Sequence, residues 1–310
     1  MQIPDEILTQ TEKHAFALRS LFHSRGFERY EMSRFEEYEL YSGNRDFLPD
    51  GGIITFTDSD GRLLALRPDV TLSIVKDTRQ LAGGVRRVYY HENVYRRGGL
   101  SHEFSERPQC GVELIGSVGT HETGDIVALA ADSLAALGLR GIIDISHVGF
   151  AAALLDGFGV TDAAKSALLT QIAAKNVPGL RGIAAEIALT DGQTDGAATL
   201  ASLYGTLGET RGVLQSLVAN EAMDGALGEL IASVEIAERA SPGADIRVDF
   251  SLSQDVNYYS GIVFQGAAEG LPVPVLSGGR YDGLLRRMGK PCGAIGFSVY
   301  IDELRRYEYA

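Results

Sequence analysis

The sequence predicts an α+β fold in which antiparallel strands form a sheet and the helices are grouped apart from them. Strand-like runs follow one another in both outer parts of the chain, and an alanine- and leucine-rich stretch from about residue 150 to 240 separates them. This grouping is typical of α+β proteins rather than of alternating βαβ units. No G-x-G-x-x-G or Walker-type loop is present, so the common nucleotide-binding motifs give no guidance.

The first part of the chain is predicted to begin with a helix over residues 5–25, which Gly26 ends. A hairpin follows further on, because Asp58–Gly61 contains the Asp-Gly pair that favours the positive φ angles of tight turns. A charged, glycine- and serine-containing loop over 97–106 separates two strands, which we expect to pair antiparallel. The strands expected in this part are 27–32, 53–57, 62–66, 85–95 and 112–115.

The second part begins with a predicted helix over 121–137, ended by Gly138, and a strand over 142–146. Five or six short helices are expected in the alanine-rich stretch. The strands expected after it are 245–250, a run through Val263, 273–276 and 294–300, before a helical turn from Asp302. We therefore divide the chain into a core, first part (1–148), a mostly helical insertion subdomain (149–243), and a core, second part (244–310).

Composition narrows the functional classes. The 310-residue chain can bury a large core, and its 45 % hydrophobic and 22 % charged content is ordinary for a globular protein. A formal net charge of −13 disfavours nucleic-acid binding. The two cysteines, Cys110 and Cys292, lie far apart and argue against a disulfide framework and a zinc site. Neither a signal peptide nor a membrane-spanning run is evident, so we expect a cytoplasmic location.

Two segments of the first part could carry chemistry or serve structure alone. Asp69 and Thr71 follow Pro68, which disfavours helix at the residue before it, so both can cap a helix beginning there. The same carboxylate and hydroxyl could grip an ammonium or imidazole group. Arg96 and Glu113 lie in strands, where they could belong to a solvated sheet face, clamp an anion or line a polar pocket.

Two further segments lie in the second part. Tyr258 and Tyr259 are either core aromatics or phenols that line a small polar pocket. In Ser277–Asp282, adjacent glycines allow close approach of a ligand or simply make a turn, and Arg280 and Asp282 could pair with each other. The histidines show no spacing typical of a metal site, and we expect neither a metal nor a cofactor.

Taken together and in this order, the segments resemble the catalytic domain of histidyl-tRNA synthetase, a class II aminoacyl-tRNA synthetase. The resemblance runs over nearly the full chain and implies a class II antiparallel sheet flanked by helices, with a helical insertion. It also implies a histidine pocket, with Arg96 at the position that contacts the ATP α-phosphate. The matching blocks are Thr55–Asp58, Leu66–Thr71, Val88–Tyr90, Tyr95–Arg96, Gln109–Gly116, Tyr258–Tyr259 and Ser277–Leu284. The pocket residues carried over are Asp69, Thr71, Gln109, Glu113, Tyr258 and Tyr259.

The departures from that family point away from aminoacylation. Gln254 and Glu303 stand where the synthetase carries arginines that act on ATP, so fixed positive charge is lost and a carboxylate would repel phosphate. Ser33 replaces the motif 1 proline, and the loop after Arg96 lacks the usual charged pattern. The chain ends just after the third motif, so we expect no anticodon-binding domain.

This combination resembles the family of ATP phosphoribosyltransferase regulatory subunits. That resemblance implies a homodimer without catalytic residues of its own, which works with a short catalytic subunit in the first step of histidine biosynthesis. It also implies that L-histidine is the effector of feedback inhibition. Two alternatives stay open: a class II enzyme that adenylates an amino acid without tRNA, and a pure scaffold whose pocket no longer binds histidine. We expect no nucleic-acid or membrane partner.

Overall fold

The computed structural model describes residues 5–48, 52–79, 83–97, 103–252 and 258–305. The strands are β1 Glu28–Arg29, β2 Phe35–Glu37, β3 Thr55–Thr57, β4 Leu63–Leu66, β5 Val85–Arg97, β6 Phe104–Gly116, β7 Gly141–His147, β8 Tyr204–Gly205, β9 Asp245–Asp249, β10 Ile262–Ala268, β11 Leu276–Arg280 and β12 Gly293–Tyr300. The helices are α1 Gln10–Ser24, α2 Tyr38–Ser42, α3 Thr71–Asp77, α4 Thr120–Ala136, α5 Val148–Asp156, α6 Asp162–Ala173, α7 Val177–Glu186, α8 Asp191–Ser202, α9 Leu207–Leu217, α10 Glu221–Ala240, α11 Asp282–Arg287 and α12 Ile301–Arg305.

Within the described residues, one large sheet has the strand order β1-β5-β6-β12-β11-β10-β7-β9-β8, and β2-β4-β3 form a small second sheet. The α+β fold class predicted from sequence is confirmed. The large sheet is mixed rather than wholly antiparallel, because β1 pairs parallel with β5 and β7 pairs parallel with β9. Parallel neighbours need a long crossover, and helices α5 to α10 supply it between β7 and β9.

The predicted hairpin is present as β3 and β4. The Asp58 carboxylate accepts hydrogen bonds from the backbone amides of Asp60 (2.9 Å) and Arg62 (2.8 Å), and Gly61 has a φ of 82°. An aspartate at the start of the turn and a glycine in left-handed conformation are what this turn chemistry requires. The local sequence therefore sets the register of β3 and β4.

The long antiparallel pair is also present, with β5 and β6 paired from Val85 opposite Gly116 to Arg97 opposite Phe104. Part of the expected loop, residues 98–102, lies outside the described residues. Several expected strands have different bounds. The strand expected over 112–115 spans Phe104–Gly116, so residues 104–106 of the expected loop belong to a strand. The run over 27–32 contributes only Glu28–Arg29, and the strand expected over 273–276 begins at Leu276 instead.

The large sheet separates two hydrophobic clusters, because side chains alternate between its faces. Val112, Leu114 and Phe297 point to one face and pack with α1, α4 and α10. Val88, Tyr90 and other residues on the opposite face pack with α3 and α11. Side chains of the helical stretch 149–243 belong to the first cluster, so these helices rest on the sheet through a shared core. The division of the chain into domains stays a prediction.

Helices α1 and α4 are followed by glycines in the left-handed conformation, as their sequences predict, and α1 also begins with a capping box. Helix α1 begins with a reciprocal capping box between Thr9 and Glu12, and Gly26 follows its end with a φ of 79°. Gly138 plays the same part after α4, with a φ of 74°. In the described part of the chain, no helix combines the length and apolar character needed to cross a membrane.

Candidate functional site

A cavity of about 390 Å³ opens on the face of the large sheet that carries Tyr90 and Glu113. Its volume lies within the range of roughly 300–1,000 Å³ that is usual for small-ligand sites. Predicted site residues from four separate parts of the sequence meet in it. They are Asp69, Thr71, Arg96, Gln109, Glu113, Tyr258 and Tyr259. The structure therefore brings these side chains together, while their role in binding a ligand stays a prediction.

Glu113 forms the most buried acidic group of the cavity, with 2 % of its surface exposed. Its carboxylate accepts hydrogen bonds from the Thr71 hydroxyl (2.7 Å) and the Tyr281 hydroxyl (2.5 Å). Burial raises the pKa of Glu113 to about 8, because these donors only partly offset the lost hydration and the Asp69 carboxylate raises the pKa further. A ligand that brings a positive charge or a further donor would stabilise the ionised form.

Glycines in neighbouring strands make room for the cavity's side chains. Gly296 lies opposite Glu113 in the register of β12 and β6, and a Cβ there would lie 1.8 Å from the Glu113 carboxylate. A Cβ on Gly279 would lie 2.6 Å from the Tyr259 ring, and one on Gly111 would lie 2.5 Å from the Tyr90 hydroxyl. These distances leave no room for a side chain at any of the three positions. We call Gly111, Gly279 and Gly296 the glycine floor, because larger side chains lie directly over them.

Asp69 serves both of the roles considered from sequence. Its carboxylate accepts a hydrogen bond from the Leu72 amide (2.8 Å) in the first turn of α3, which satisfies a backbone donor of that helix. It also lines the cavity. Burial raises the pKa of Asp69, while the Leu72 amide and the Arg96 guanidinium oppose that shift. Thr71 does not cap the helix as predicted, because its hydroxyl donates its hydrogen bond to the Glu113 carboxylate.

Arg96 brings a guanidinium to a cavity that is also lined by three carboxylates, those of Asp46, Asp69 and Glu113. The side chain is held by a hydrogen bond from its Nε to the Pro68 carbonyl (3.0 Å), which ties β5 to the start of α3. A planar guanidinium at this position suits a carboxylate or phosphate oxygen of a ligand. The cavity therefore offers both signs of charge.

The two adjacent tyrosines form an aromatic wall. Their ring centroids lie 4.7 Å apart in an edge-to-face arrangement, and the Tyr258 ring also contacts Phe47 and Tyr281. Burial raises the pKa of the Tyr258 phenol well above its usual value, so this hydroxyl stays protonated at neutral pH. The wall thus combines flat apolar surfaces with the protonated Tyr258 hydroxyl.

Tyr281 is a cavity-lining side chain that the sequence prediction includes only as part of a block. The signal was present, because Tyr281 lies in the Ser277–Leu284 segment, but its target Glu113 lies 168 positions away. Tyr90 falls within the matching block Val88–Tyr90, and Ser298 falls in none of the predicted site segments. Their hydroxyls lie 2.5 Å apart across Gly111, and the Ser277 and Tyr300 hydroxyls also form a hydrogen bond. Strand alternation in β12 would have placed Ser298 and Tyr300 on the cavity face.

The remaining predicted positions fall elsewhere. Gln254 lies outside the described residues. Glu303 is partly buried in α12, and Ser33 accepts a hydrogen bond from the Phe35 amide (3.1 Å). Arg280 and Asp282 form the ion pair considered from sequence, at 2.9 Å. Among the residues that the structure describes, no three His, Cys, Asp or Glu side chains come together as a metal-binding group.

The chain is similar to known proteins over nearly its full length. A family model described as histidyl-tRNA synthetase matches residues 3–304. A protein from Moorella thermoacetica named ATP phosphoribosyltransferase regulatory subunit is 31 % identical over 325 residues, which cover 98 % of this chain and 81 % of that protein.

Solved structures agree with this similarity. The crystal structure of an ATP phosphoribosyltransferase regulatory subunit/histidyl-tRNA synthetase from Bacillus halodurans superposes with a TM-score of 0.84 at 27 % identity, covering 97 % of this chain and 83 % of that one. A chain of an ATP phosphoribosyl transferase (HisG:HisZ) complex from Thermotoga maritima gives a TM-score of 0.72 at 17 % identity, covering 97 % and 98 %, and shares the fold. The chain therefore belongs to the histidyl-tRNA synthetase family and, within it, to the ATP phosphoribosyltransferase regulatory subunits.

Proposed function

We propose that this regulatory subunit binds L-histidine in the cavity and controls a separate, short catalytic ATP phosphoribosyltransferase subunit in the first step of histidine biosynthesis. The observation that carries the proposal is the meeting of all seven predicted side chains in one cavity. Their chemistry matches the groups of an amino acid with a polar aromatic ring. We infer the catalytic partner from the family to which the chain belongs.

The charges of the cavity suit a zwitterion. Glu113 and Asp69 would take the α-ammonium or the imidazole N–H groups, and Arg96 would take the α-carboxylate. Tyr258 and Tyr259 would pack on the imidazole ring. A ligand donor that approaches Glu113 would add to the hydrogen bonds from Thr71 and Tyr281 and hold the buried carboxylate in its ionised form.

The regulatory effect follows from linkage. Histidine can shift the activity of an assembly only by its different affinity for two states of that assembly. We propose that histidine binds more tightly to the state in which the catalytic subunit is inactive. The related fold in the Thermotoga maritima complex supports a direct physical contact with a catalytic subunit.

We also propose that the chain forms a homodimer through its N-terminal part, roughly residues 8–34, and the small sheet that begins directly after it in the sequence. Phe16 on α1 is 42 % exposed, and Phe35 and Phe56 on the small sheet are 49 % and 37 % exposed. The last two rings contact each other with centroids 5.3 Å apart. Large aromatic side chains exposed in this way are typical of an interface. Sedimentation of wild type and of Phe35→Ser tests the dimer, which the substitution should weaken.

Calorimetric titration of the isolated chain with histidine tests the proposed ligand. We expect saturable binding that Glu113→Gln weakens and Glu106→Gln leaves unchanged, since Glu106 lies on the same strand at an exposed position outside the cavity. The chain is then mixed with a short catalytic subunit from the same genome. Activity should rise, and histidine should inhibit the mixture but not a mixture with Glu113→Gln. A rise in activity without histidine binding would support a pure scaffold and would contradict the proposed binding of histidine in the cavity.

A further inference from the structure

A cluster of charged side chains lies behind the cavity and outside it, centred on Arg280. The guanidinium donates to Glu229 on α10 (3.0 Å), to Asp282 at the start of α11 (2.9 Å) and to the Val118 carbonyl before α4 (3.1 Å). The Asp282 carboxylate in turn accepts a hydrogen bond from the Ala294 amide in β12 (2.9 Å). One half-buried arginine therefore joins four separate segments of the chain.

The backbone around Arg280 carries the cavity wall. Gly279 lies beneath the Tyr259 ring, and Tyr281 donates to Glu113. The Arg280 carbonyl accepts a hydrogen bond from the Ser260 amide (2.7 Å), directly after the two tyrosines. Because side chains that line the cavity lie on both sides of Arg280, a change in its position would change the shape of the cavity.

Glu229 is the only partner of this arginine, among the contacts of the described residues, that comes from the helical stretch 149–243. Its carboxylate also contacts His147 Nε2 (3.3 Å), while His147 Nδ1 accepts a hydrogen bond from the Gly149 amide. These bonds together indicate that Nε2 carries the proton and donates to Glu229. His147 and Arg280 hold the pKa of Glu229 below its usual value, so the carboxylate is ionised at neutral pH.

The Arg280–Glu229 ion pair packs closely against Gly261, in the segment that follows the two tyrosines. A Cβ on Gly261 would lie 3.3 Å from the Arg280 Cδ and 3.8 Å from a Glu229 carboxylate oxygen. The Gly261 carbonyl accepts a hydrogen bond from the Val148 amide (3.0 Å) at the start of α5. The segment that follows Tyr258 and Tyr259 is thus held between the sheet and two helices of the insertion.

We infer that Glu229 is a positioning residue for the ligand cavity, which acts through Arg280 and couples helix α10 to occupancy of the cavity. This inference rests on the proposed binding of histidine. Ligand contacts to Glu113 and the tyrosines restrict the Ser277–Leu284 segment, and the Arg280–Glu229 bridge passes that restriction to α10. Conversely, loss of the bridge lets the segment relax and weakens binding.

The test compares two isosteric substitutions on the same helix. Glu229→Gln removes the charge that holds Arg280. Glu235→Gln removes an equivalent charge. Glu235 forms an ion pair with Arg211 (3.0 Å), and this pair lies outside the cavity. We expect Glu229→Gln to raise the dissociation constant for histidine about fivefold to tenfold, because Glu229 acts on the ligand through Arg280 and only part of the value of a charged hydrogen bond reaches the cavity. Glu235→Gln should leave the dissociation constant within about twofold.

Two readouts separate positioning from a general effect on folding. A double-mutant cycle with Arg280→Lys should show that the two substitutions are not additive in histidine affinity. Hydrogen exchange should show that histidine slows the amides around Glu229 in the wild type but not in Glu229→Gln at saturating histidine. Wild-type affinity in Glu229→Gln, equal weakening by Glu235→Gln, or full additivity would overturn the inference. If wild type binds no histidine, the proposed function fails as well.

Discussion

Binding of histidine should release a fraction of a proton near neutral pH, and Glu113 should be its source. In the empty cavity, burial holds the pKa of this carboxyl at about 8. The other ionisable groups that line the cavity are Asp46, Asp69 and Arg96 and the phenols of Tyr258, Tyr259, Tyr281 and Tyr300. An ammonium or N–H group placed against Glu113 would favour its ionised form, so the proton leaves as the ligand binds.

The magnitude follows from that pKa. At pH 7.5 about three-quarters of the Glu113 side chains are protonated in the empty cavity, so binding that ionises all of them should release about 0.75 proton. The affinity should rise with pH by up to about tenfold per unit below pH 8 and level off above it. The free imidazole is largely neutral at pH 7.5, and this choice of pH limits its contribution.

Titration calorimetry in buffers of different ionisation enthalpy measures the released proton directly. Glu113→Gln should abolish the release, and Glu106→Gln on the same strand should preserve it. Tyr281→Phe removes one of the two donors to the carboxylate, so it should weaken binding and bring the release closer to one proton. Equal proton release in the wild type and Glu113→Gln would refute the reasoning, as would an affinity that falls between pH 6.5 and 8.

Three further predictions concern stability. Gly296→Ala should destabilise the fold by about 1–3 kcal/mol and abolish histidine binding, because its Cβ would meet the Glu113 carboxylate at 1.8 Å and the Val112 carbonyl at 2.4 Å. Lys290→Met should cost about 1–3 kcal/mol, because the ammonium donates to the carbonyls of Lys76 (2.9 Å) and Thr78 (2.6 Å) at the end of α3. Ligand-free Glu113→Gln should exceed the wild type in unfolding free energy at pH 8, with the difference shrinking towards pH 5. The folded pKa of Glu113 is raised, so wild-type stability falls as pH rises through that interval.

Urea denaturation measures all three, and matched variants serve as controls. Gly283→Ala meets nothing within 4 Å and should be neutral or slightly stabilising, so an equal loss there would contradict the close contact at Gly296. Lys165→Met removes only an ion pair with the exposed Asp156 and should change stability by less than about 1 kcal/mol. A difference between Glu113→Gln and wild type that does not change with pH would contradict the raised pKa.

Much of the fold could be predicted from the sequence where the signals are local. The Asp58–Gly61 turn, the glycines after α1 and α4, and the strand runs of β5 and β12 depend on residues a few positions apart, and each is present. The membership of the cavity could be predicted because the resemblance covers nearly the whole chain. The role of Asp69 could not be predicted from the sequence, because capping a helix and lining a polar cavity both suit an aspartate.

Features that depend on pairing across the chain escaped prediction. The parallel pairing of β7 with β9 needs knowledge that six helices cross between them, which no local pattern records. The bond from Tyr281 to Glu113 depends on the register of β11, β12 and β6, where a shift of one residue would turn each side chain to the other face. Arg280 looked like half of a local pair with Asp282, although its longer contacts reach α10 and the start of α4.

The glycine floor limits how this cavity can change during evolution. Gly111, Gly279 and Gly296 are each covered by a larger neighbour, so no substitution at these positions can reshape the cavity without displacing Tyr90, Tyr259 or Glu113. New ligand preferences would have to come from the rim, where helix α3 and the tyrosine segment approach the sheet. The outline of the pocket is for this reason harder to change by single substitutions than the set of polar groups at its rim.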